Sequence, residues 1–242
     1  MLHETSITNC DSRLTQLQDA FPKVLRSQSL YYVGSKPIRD HFHLGIVGSR
    51  RPSPESREIL EALISKLAGL PIRVISGGAL GVDAQAHACA LRHSLPTYSW
   101  VVGDPSSASP HTNRPLFERI ASTQGSAIIT PKCLYRFKNV GLQTHFWLER
   151  NAWIAANSDL LLVIQAKERS GTWSTVKICQ DLGVSTYAIT GSPIDPCYSG
   201  NNLMITMNYA LPLPHIQEFT EDLKAHVKEF FRKSEKSYRD LG

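Results

Sequence analysis

The chain has 242 residues, which is enough for one large α/β domain or two small domains with a proper hydrophobic core. Its 26 lysines and arginines against 21 acidic residues give a formal charge of +5, which suits a polyanionic partner without proving one. The sequence contains no apolar run of about 18 residues and no basic-then-apolar N-terminus, which argues against a membrane span and a signal peptide.

The order of apolar runs and turn residues predicts alternating strands and helices through most of the chain. We expect an extended segment at residues 30–33, followed by strands at 43–47, 72–75, 97–102, 126–130, 160–165 and 184–189. The expected helices are 55–68, 83–91, 113–122, 146–157, 170–181, 203–209 and, after Pro212 and Pro214, 216–234. Successive βα units predict an α/β fold with a mostly parallel sheet and helices on both faces.

We predict three parts in this chain. Residues 1–40 form an N-terminal arm or small subdomain, residues 41–212 form the core, and residues 213–242 carry a C-terminal helix. The five cysteines are odd in number and widely spaced, and they form no C-x-x-C or Cys/His pattern. We therefore expect reduced thiols in a cytoplasmic protein, with no metal and no cofactor.

A glycine-rich turn between a strand and a helix is the clearest motif. Residues 76–81 read Ser-Gly-Gly-Ala-Leu-Gly and lie between the strand at 72–75 and the helix at 83–91. Glycines let the backbone approach a ligand, and the N-terminus of a helix favours a phosphate. A tight turn without a ligand is the alternative reading of this motif alone.

Other strands end in similar loops, which should meet at one edge of a parallel sheet. They are the loop at residues 48–50, the loop at 170–172, and a segment at 131–143 that is basic and aromatic without an acidic residue. Their convergence favours a site for phosphate groups. The candidate phosphate-binding residues of these loops are Gly48, Ser49, Arg50, Ser76, Gly77, Gly78, Ala79, Gly81, Lys132, Lys138, Ser170 and Gly171.

The residues at these loops resemble the DNA-processing protein A (DprA/Smf) family. The matching stretches, in the order and spacing of the family, are residues 48–50, 76–83, 86–87, 90–91, 150–151, 170–172, 175 and 200–202, with 21–22 and 30–32 ahead of them. Three departures stand out. Ala152 follows Arg150-Asn151 where the family has arginine, Ile129-Thr130 replaces Ser-Glu, and we expect no C-terminal winged-helix-like domain.

The resemblance implies an extended Rossmann-like fold and a homodimer without enzymatic turnover. It implies that the protein binds and protects single-stranded DNA and loads the RecA recombinase during natural transformation. Arg50 and the turn at residues 77–81 would then contact backbone phosphates, together with a lysine after the fourth strand. Lys132 is the best match for that lysine, and Lys138 is the second. The resemblance also adds Arg150 and Asn151 to the predicted DNA- or phosphate-binding residues of the loops.

Several of these residues also have structural readings. Arg150 can pair with an acidic residue in the core, Ser170 can cap a helix, and Trp147 can anchor a helix instead of stacking on a base. Asp83 and His87 share a helix face, and we expect them to support the turn and not to catalyse a reaction.

Two alternatives remain open at this point. The first is a nucleotide-handling enzyme similar to phosphoribohydrolases of the same superfold, although the helix after the glycine turn has no glutamate at the position of their catalytic residue. The second is a protein that binds a small phosphorylated nucleotide and no DNA.

Overall fold

A nine-stranded, mostly parallel sheet forms the centre of the protein. The computed structural model describes the backbone of residues 1–6, 29–135 and 144–239, and the side chains of the same ranges except 144–145 and 234–239. The strands are β1 His3–Ser6, β2 Ser29–Gly34, β3 Phe42–Val47, β4 Ile72–Ser76, β5 Thr97–Trp100, β6 Ala127–Pro131, β7 Leu160–Val163, β8 Ser185–Ala188 and β9 Leu211–Pro212. The helices in these ranges are α1 Pro54–Lys66, α2 Val82–Arg92, α3 Arg114–Ser122, α4 Lys132–Tyr135, α5 Thr144–Ala156, α6 Thr172–Asp181, α7 Ser199–Thr206 and α8 Ile216–Arg239.

The strand order is β1-β2-β6-β5-β4-β3-β7-β8-β9. The pairs β1–β2 and β2–β6 are antiparallel, and the other neighbouring strands pair in parallel. Every residue of β3, β4, β6 and β7 is buried, which is why these strands read as nearly continuous apolar runs in the sequence. The predicted α/β fold, Rossmann-like with a mostly parallel sheet, is confirmed.

Helices cover both faces of the sheet. On one face, α1, α2 and α8 pack through residues such as Leu60, Ala86 and Phe219 against the β3 side chains Leu44 and Ile46. On the other face, α5 and α6 cover the opposite side chains of β3, β5 and β7, where Trp100 stacks on Trp153 with ring centroids 5.5 Å apart. Strands β3, β4 and β7 therefore contribute to both hydrophobic cores.

The structure differs from the expected elements at several places. Strands β1 and β2 from the predicted arm belong to the central sheet, because β2 pairs with β6 from Leu30 to Gly34. Residues 132–135 form a helical turn, and the C-terminal helix continues to Arg239. Helix α7 begins at Ser199 and not at residue 203, because the buried Asn201 amide donates to the carbonyls of Val163, Ile164 and Ile189 and holds this turn against the sheet. The division at residues 40 and 212 stays a prediction.

None of the helices in the described residues combines the length and apolar character needed to cross a membrane. Within the same residues, no three His, Cys, Asp or Glu side chains are grouped so that they could hold a metal ion. The four described cysteines form no disulfide.

Candidate nucleic-acid interface

The point where the chain changes direction across the sheet lies between β3 and β7. Strands β4, β5 and β6 follow on one side of β3, whereas β7, β8 and β9 follow on the other side. Such a topological switch opens a crevice at the carboxyl ends of the strands. Two backbone hydrogen bonds define its walls: the Ser49 amide donates to the Gln165 carbonyl at 2.6 Å, and the Val82 amide donates to the Ser49 carbonyl at 3.0 Å.

A cavity of about 480 Å³ occupies this crevice. Eight of the predicted site residues line it, namely Gly48, Ser49, Arg50, Ala79, Arg150, Asn151, Ser170 and Gly171. Its lining also contains Asp83, Trp147, Lys167 and Arg169. Arg50, Lys167 and Arg169 are exposed at the rim, whereas Arg150 and Asp83 are buried. The lining thus has four cations against one carboxylate, an arrangement that attracts anions.

The Asp83 carboxylate occupies the inside of the glycine turn. The Ala79 amide donates to Asp83 Oδ2 at 3.3 Å, and the Gly77 amide also hydrogen-bonds this carboxylate. Burial raises the pKa of Asp83, while Arg150 and these amide groups act in the opposite direction. Two of the N–H groups expected to receive a phosphate therefore already hold an internal anion.

The remaining predicted residues of this turn shape it from within. Ser76 is fully buried, and its hydroxyl donates to the Ile46 carbonyl at 2.7 Å. Gly78 has φ +70°, and its carbonyl accepts a hydrogen bond from the Asn113 amide at 2.9 Å. Gly81 has φ +80°, and a Cβ there would overlap the backbone of Ser49 and Arg50. These residues fix the position of the cavity wall.

Arg150 projects from α5 over the face of Gly77. A Cβ on Gly77 would overlap the guanidinium, so glycine is required for this approach. Arg150 Nη1 lies 3.8 Å from Asp83 Oδ2, and the guanidinium carbon lies 5.5 Å from the centre of the Trp147 ring. The residue is only 6% exposed, and its Nε and Nη1 find no hydrogen-bond acceptor among the described residues. Burial lowers the pKa of Arg150, and Arg50 adds to this effect.

His87 lies behind the turn in a fully buried position. Thr97 Oγ1 donates to the Val74 carbonyl, so it accepts a hydrogen bond from His87 Nδ1 at 2.7 Å. Burial lowers the pKa of His87 to about 3, and the nearby Arg150 acts in the same direction. The imidazole is therefore neutral at physiological pH. These contacts give His87 a structural place between α2 and β5.

Asn151, Ser170 and Gly171 belong to the junction between α5 and the N-terminus of α6. The Asn151 amide donates to Ser174 Oγ at 2.8 Å, and the Ser174 hydroxyl donates to the Gly171 carbonyl at 2.7 Å. No side chain caps the first turn of α6, and the buried Ser170 Oγ has no hydrogen-bond partner among the described residues. The first turn of α6 therefore faces the cavity without an internal anion of the kind that Asp83 provides in the glycine turn.

Lys132 lies at the same edge of the sheet but not in the cavity. It directly follows β6, which is separated from β3 by β5 and β4. Its Nζ lies 3.0 Å from Glu4 Oε1, and this contact lowers the pKa of the Glu4 carboxyl. The other predicted lysine, Lys138, lies outside the described residues.

Sequence reasoning missed four residues that build the site. Lys167 and Arg169 add two charges to the rim, and a basic pair just before the Ser170 turn is a signal that the sequence offers. The Gln165 side-chain oxygen accepts a hydrogen bond from the Ser53 amide at 2.8 Å and so positions the start of α1. The Asn113 side chain holds the glycine turn through its hydrogen bond to the Gly78 carbonyl. Neither amide has a sequence signature, because each acts across a long separation in the chain.

A second cavity of about 540 Å³ lies beside β8, lined by residues that include Thr190, Gly191 and Asn202. Glu168 is the one charged residue among its described lining residues. The cavity at the switch point is therefore the better match to a phosphate-bearing ligand.

Comparison with known proteins places these features in a family. The profile of the family described as DNA recombination-mediator protein A matches residues 12–224. Protein Smf of Borreliella burgdorferi is 29% identical over 159 residues, which cover 66% of this chain and 49% of that protein. The chain thus spans about half the length of this relative, and it covers 58% of the DNA processing protein DprA of Bacillus subtilis, with 25% identity over 180 residues.

Solved structures agree with the sequence comparison. DNA processing protein A from Helicobacter pylori, described for its single-stranded DNA binding mode, is 25% identical with a TM-score of 0.76, covering 93% of this chain and 97% of that chain. DprA from Streptococcus pneumoniae is 24% identical with a TM-score of 0.74, and the match covers 89% of this chain and 72% of that chain. This likeness shows the fold. On the match to residues 12–224, the chain belongs to the DNA recombination-mediator protein A family.

Proposed function

We propose that the protein binds single-stranded DNA along the carboxyl edge of its sheet. It protects incoming DNA and loads the RecA recombinase during natural transformation. The observation that carries the proposal is the cavity at the switch point, where three exposed cations surround the buried Arg150 guanidinium with its unpartnered donors. The single-stranded DNA binding described for the Helicobacter pylori relative supports the same choice of ligand.

The edge of the sheet supplies a second contact beyond the cavity. Strands β3 and β6 are three strand positions apart, which corresponds to about 14 Å at the usual spacing between strands. Lys132 at the end of β6 and Arg50 at the end of β3 therefore lie along one path. A single strand that occupies about 4 to 16 nucleotides per domain can reach both.

The proposal assigns no chemical turnover to this site. Asp83 is the one carboxylate that lines the cavity in the described part of the chain. It is held by the Ala79 amide and faces Arg150, so it is placed to stabilise the turn. General acid or base catalysis would require a carboxyl directed at a substrate.

The homodimer, the recombinase and the cytoplasmic location belong to the same proposal, and the family resemblance is their support. Sedimentation of the purified chain tests the dimer. A strand-exchange assay with RecA on DNA covered by single-strand binding protein tests the loading activity, and an unchanged lag in RecA assembly would contradict it.

Titration of labelled oligo-dT by fluorescence anisotropy at several salt concentrations tests the DNA site. Arg50→Ala and Lys132→Ala should each weaken binding and reduce the slope of log K against log salt by about 0.7, because each removes one phosphate contact. Lys66→Ala is the matched control, because Lys66 is exposed at the end of α1, on the opposite edge of the sheet. Equal affinity and equal slope for Arg50→Ala and wild type would refute the assignment.

A further inference from the structure

The cavity at the switch point has a buried inner wall and a charged, exposed mouth. Val47, Asp83, Arg150 and Ile154 are buried and form its inner wall, whereas the exposed cations stand at its mouth. A volume of about 480 Å³ lies within the range of sites for one small ligand.

Unpartnered donors lie at this buried inner wall. Arg150 Nε and Nη1 find no acceptor among the described residues, although the side chain is more than nine-tenths buried. The 3.8 Å distance to Asp83 Oδ2 exceeds that of a hydrogen bond. Ser170 Oγ is a further buried polar atom without a described partner. Buried donors in native proteins are normally satisfied, so these atoms indicate where ligand oxygens bind.

The charge of the lining fits a phosphate monoester better than a phosphodiester. Arg50, Arg150, Lys167 and Arg169 outnumber the single carboxylate of Asp83. A monoester carries a charge of about −1.5 to −2 at neutral pH and offers three oxygens, whereas a diester within a strand carries one charge. The uncapped first turn of α6 provides further N–H groups on the same side.

Trp147 provides an apolar wall at the same cavity. Its ring lies 5.5 Å from the guanidinium carbon of Arg150 and packs against the cluster of Val102, Leu134 and Phe146. The side chain is only partly buried, and it lines the cavity. A nucleobase attached to a phosphate at Arg150 can stack on such a surface.

We propose that this cavity binds one nucleotide that carries a terminal phosphate monoester, with the phosphate at Arg150 and the α6 N-terminus and the base on Trp147. Such a nucleotide can be the phosphorylated 5′ end of a DNA strand or a free nucleoside monophosphate. The inference deepens the proposed function for the strand end and stands independently of it for the free nucleotide.

The test compares two oligo-dT strands of about ten nucleotides, both labelled at the 3′ end. One strand carries a 5′-phosphate and the other a 5′-hydroxyl, and they are otherwise identical. Anisotropy titration at pH 8 should show roughly tenfold tighter binding of the phosphorylated strand, the gain expected from charge-assisted hydrogen bonds. The difference should shrink at pH 5.5, because the second pKa of a phosphate monoester is about 6. Quenching of tryptophan fluorescence by dTMP, with thymidine as the control, tests the free nucleotide.

Two variants connect the result to the cavity. Arg150→Lys retains a cation but loses the planar fork of donors, and Ser170→Ala removes the buried hydroxyl that has no described partner. Both should reduce the preference for the 5′-phosphate, and circular dichroism establishes that each variant is folded. Lys66→Ala should retain the full preference.

The outcomes separate the inference from the proposed function. Equal binding of the two strands, with no response to dTMP, overturns the inference and leaves single-stranded DNA binding intact. Binding of dTMP without binding of either strand overturns the proposed function and supports the inference for the free nucleotide. A preference for the 5′-phosphate that both variants retain in full overturns the assignment to this cavity.

Discussion

Removal of the Arg150 guanidinium should destabilise the fold through Asp83. At the observed 3.8 Å, the attraction between the two charges is about 4 kcal/mol with an effective dielectric constant of about 20. Arg150→Met forfeits this attraction but also removes the cost of burying the guanidinium, so we expect a net loss of about 2 kcal/mol in the free energy of unfolding at pH 7. The loss arises because Asp83 stays buried without its cation.

The pH dependence of this loss has a definite sign. Burial already raises the pKa of Asp83 in the folded protein, and the absence of Arg150 raises it further. A carboxyl whose folded pKa exceeds its unfolded value costs stability when it is ionised. The deficit of Arg150→Met is therefore largest at neutral pH, and it shrinks as the pH falls through the raised pKa.

Urea unfolding followed by circular dichroism at pH 7 and pH 5 measures both effects. The double variant Asp83→Asn/Arg150→Met should recover more than half of the loss, because the neutral amide needs no cation. Arg119→Met, at an exposed position on α3, is the control and should stay within about 0.5 kcal/mol of wild type. An Arg150→Met protein as stable as wild type at pH 7 would refute the reasoning.

Three further predictions concern the frame of the site. Gly81→Ala should lower the free energy of unfolding by about 1 to 3 kcal/mol and weaken oligo-dT binding, because its Cβ meets the backbone of the loop after β3. Gly69→Ala is the control, because Gly69 has a similar positive φ but open space around it; this variant should lose less stability and keep its DNA affinity in the same urea and anisotropy assays. His87 has a folded pKa of about 3, so its contribution to the free energy of unfolding is complete above pH 6.5 and falls by up to about 1.4 kcal/mol per pH unit below that value. His87→Gln should reduce this pH dependence in urea titrations, and an unchanged pH dependence would contradict the prediction. The pKa of Glu61 is lowered to about 2, mainly by the hydrogen bond from the Cys89 thiol. Glu61→Gln should therefore lower the free energy of unfolding by about 1 kcal/mol at pH 7, a value reduced for the 37% exposure of the side chain. In thermal melts this difference should disappear as the pH falls from 4.5 towards 2, because Glu61 becomes protonated.

The sequence by itself determined the parallel α/β fold and the loops that form the site. Apolar runs followed by glycine or hydroxyl turns at residues 48–50, 76–81 and 170–172 are local signals, because strand burial and turn geometry depend on neighbouring residues. The same patterns identified Arg50 and Ser170, and the family resemblance added Arg150; the structure brings all three into one cavity. Their role in binding DNA stays a prediction.

The tertiary structure alone decided which groups surround the ligand space. It placed Asp83 inside the glycine turn, set Arg150 over Gly77, and brought the loop before Ser170 against Ser49. These contacts join residues that lie far apart in the chain, and they depend on β3 lying between β4 and β7. No local pattern encodes that neighbourhood, because the strand order is set by packing of the whole sheet. The turn that the sequence predicts as a phosphate site is thus partly occupied by a carboxylate, and the unpartnered donors lie on Arg150 beside it.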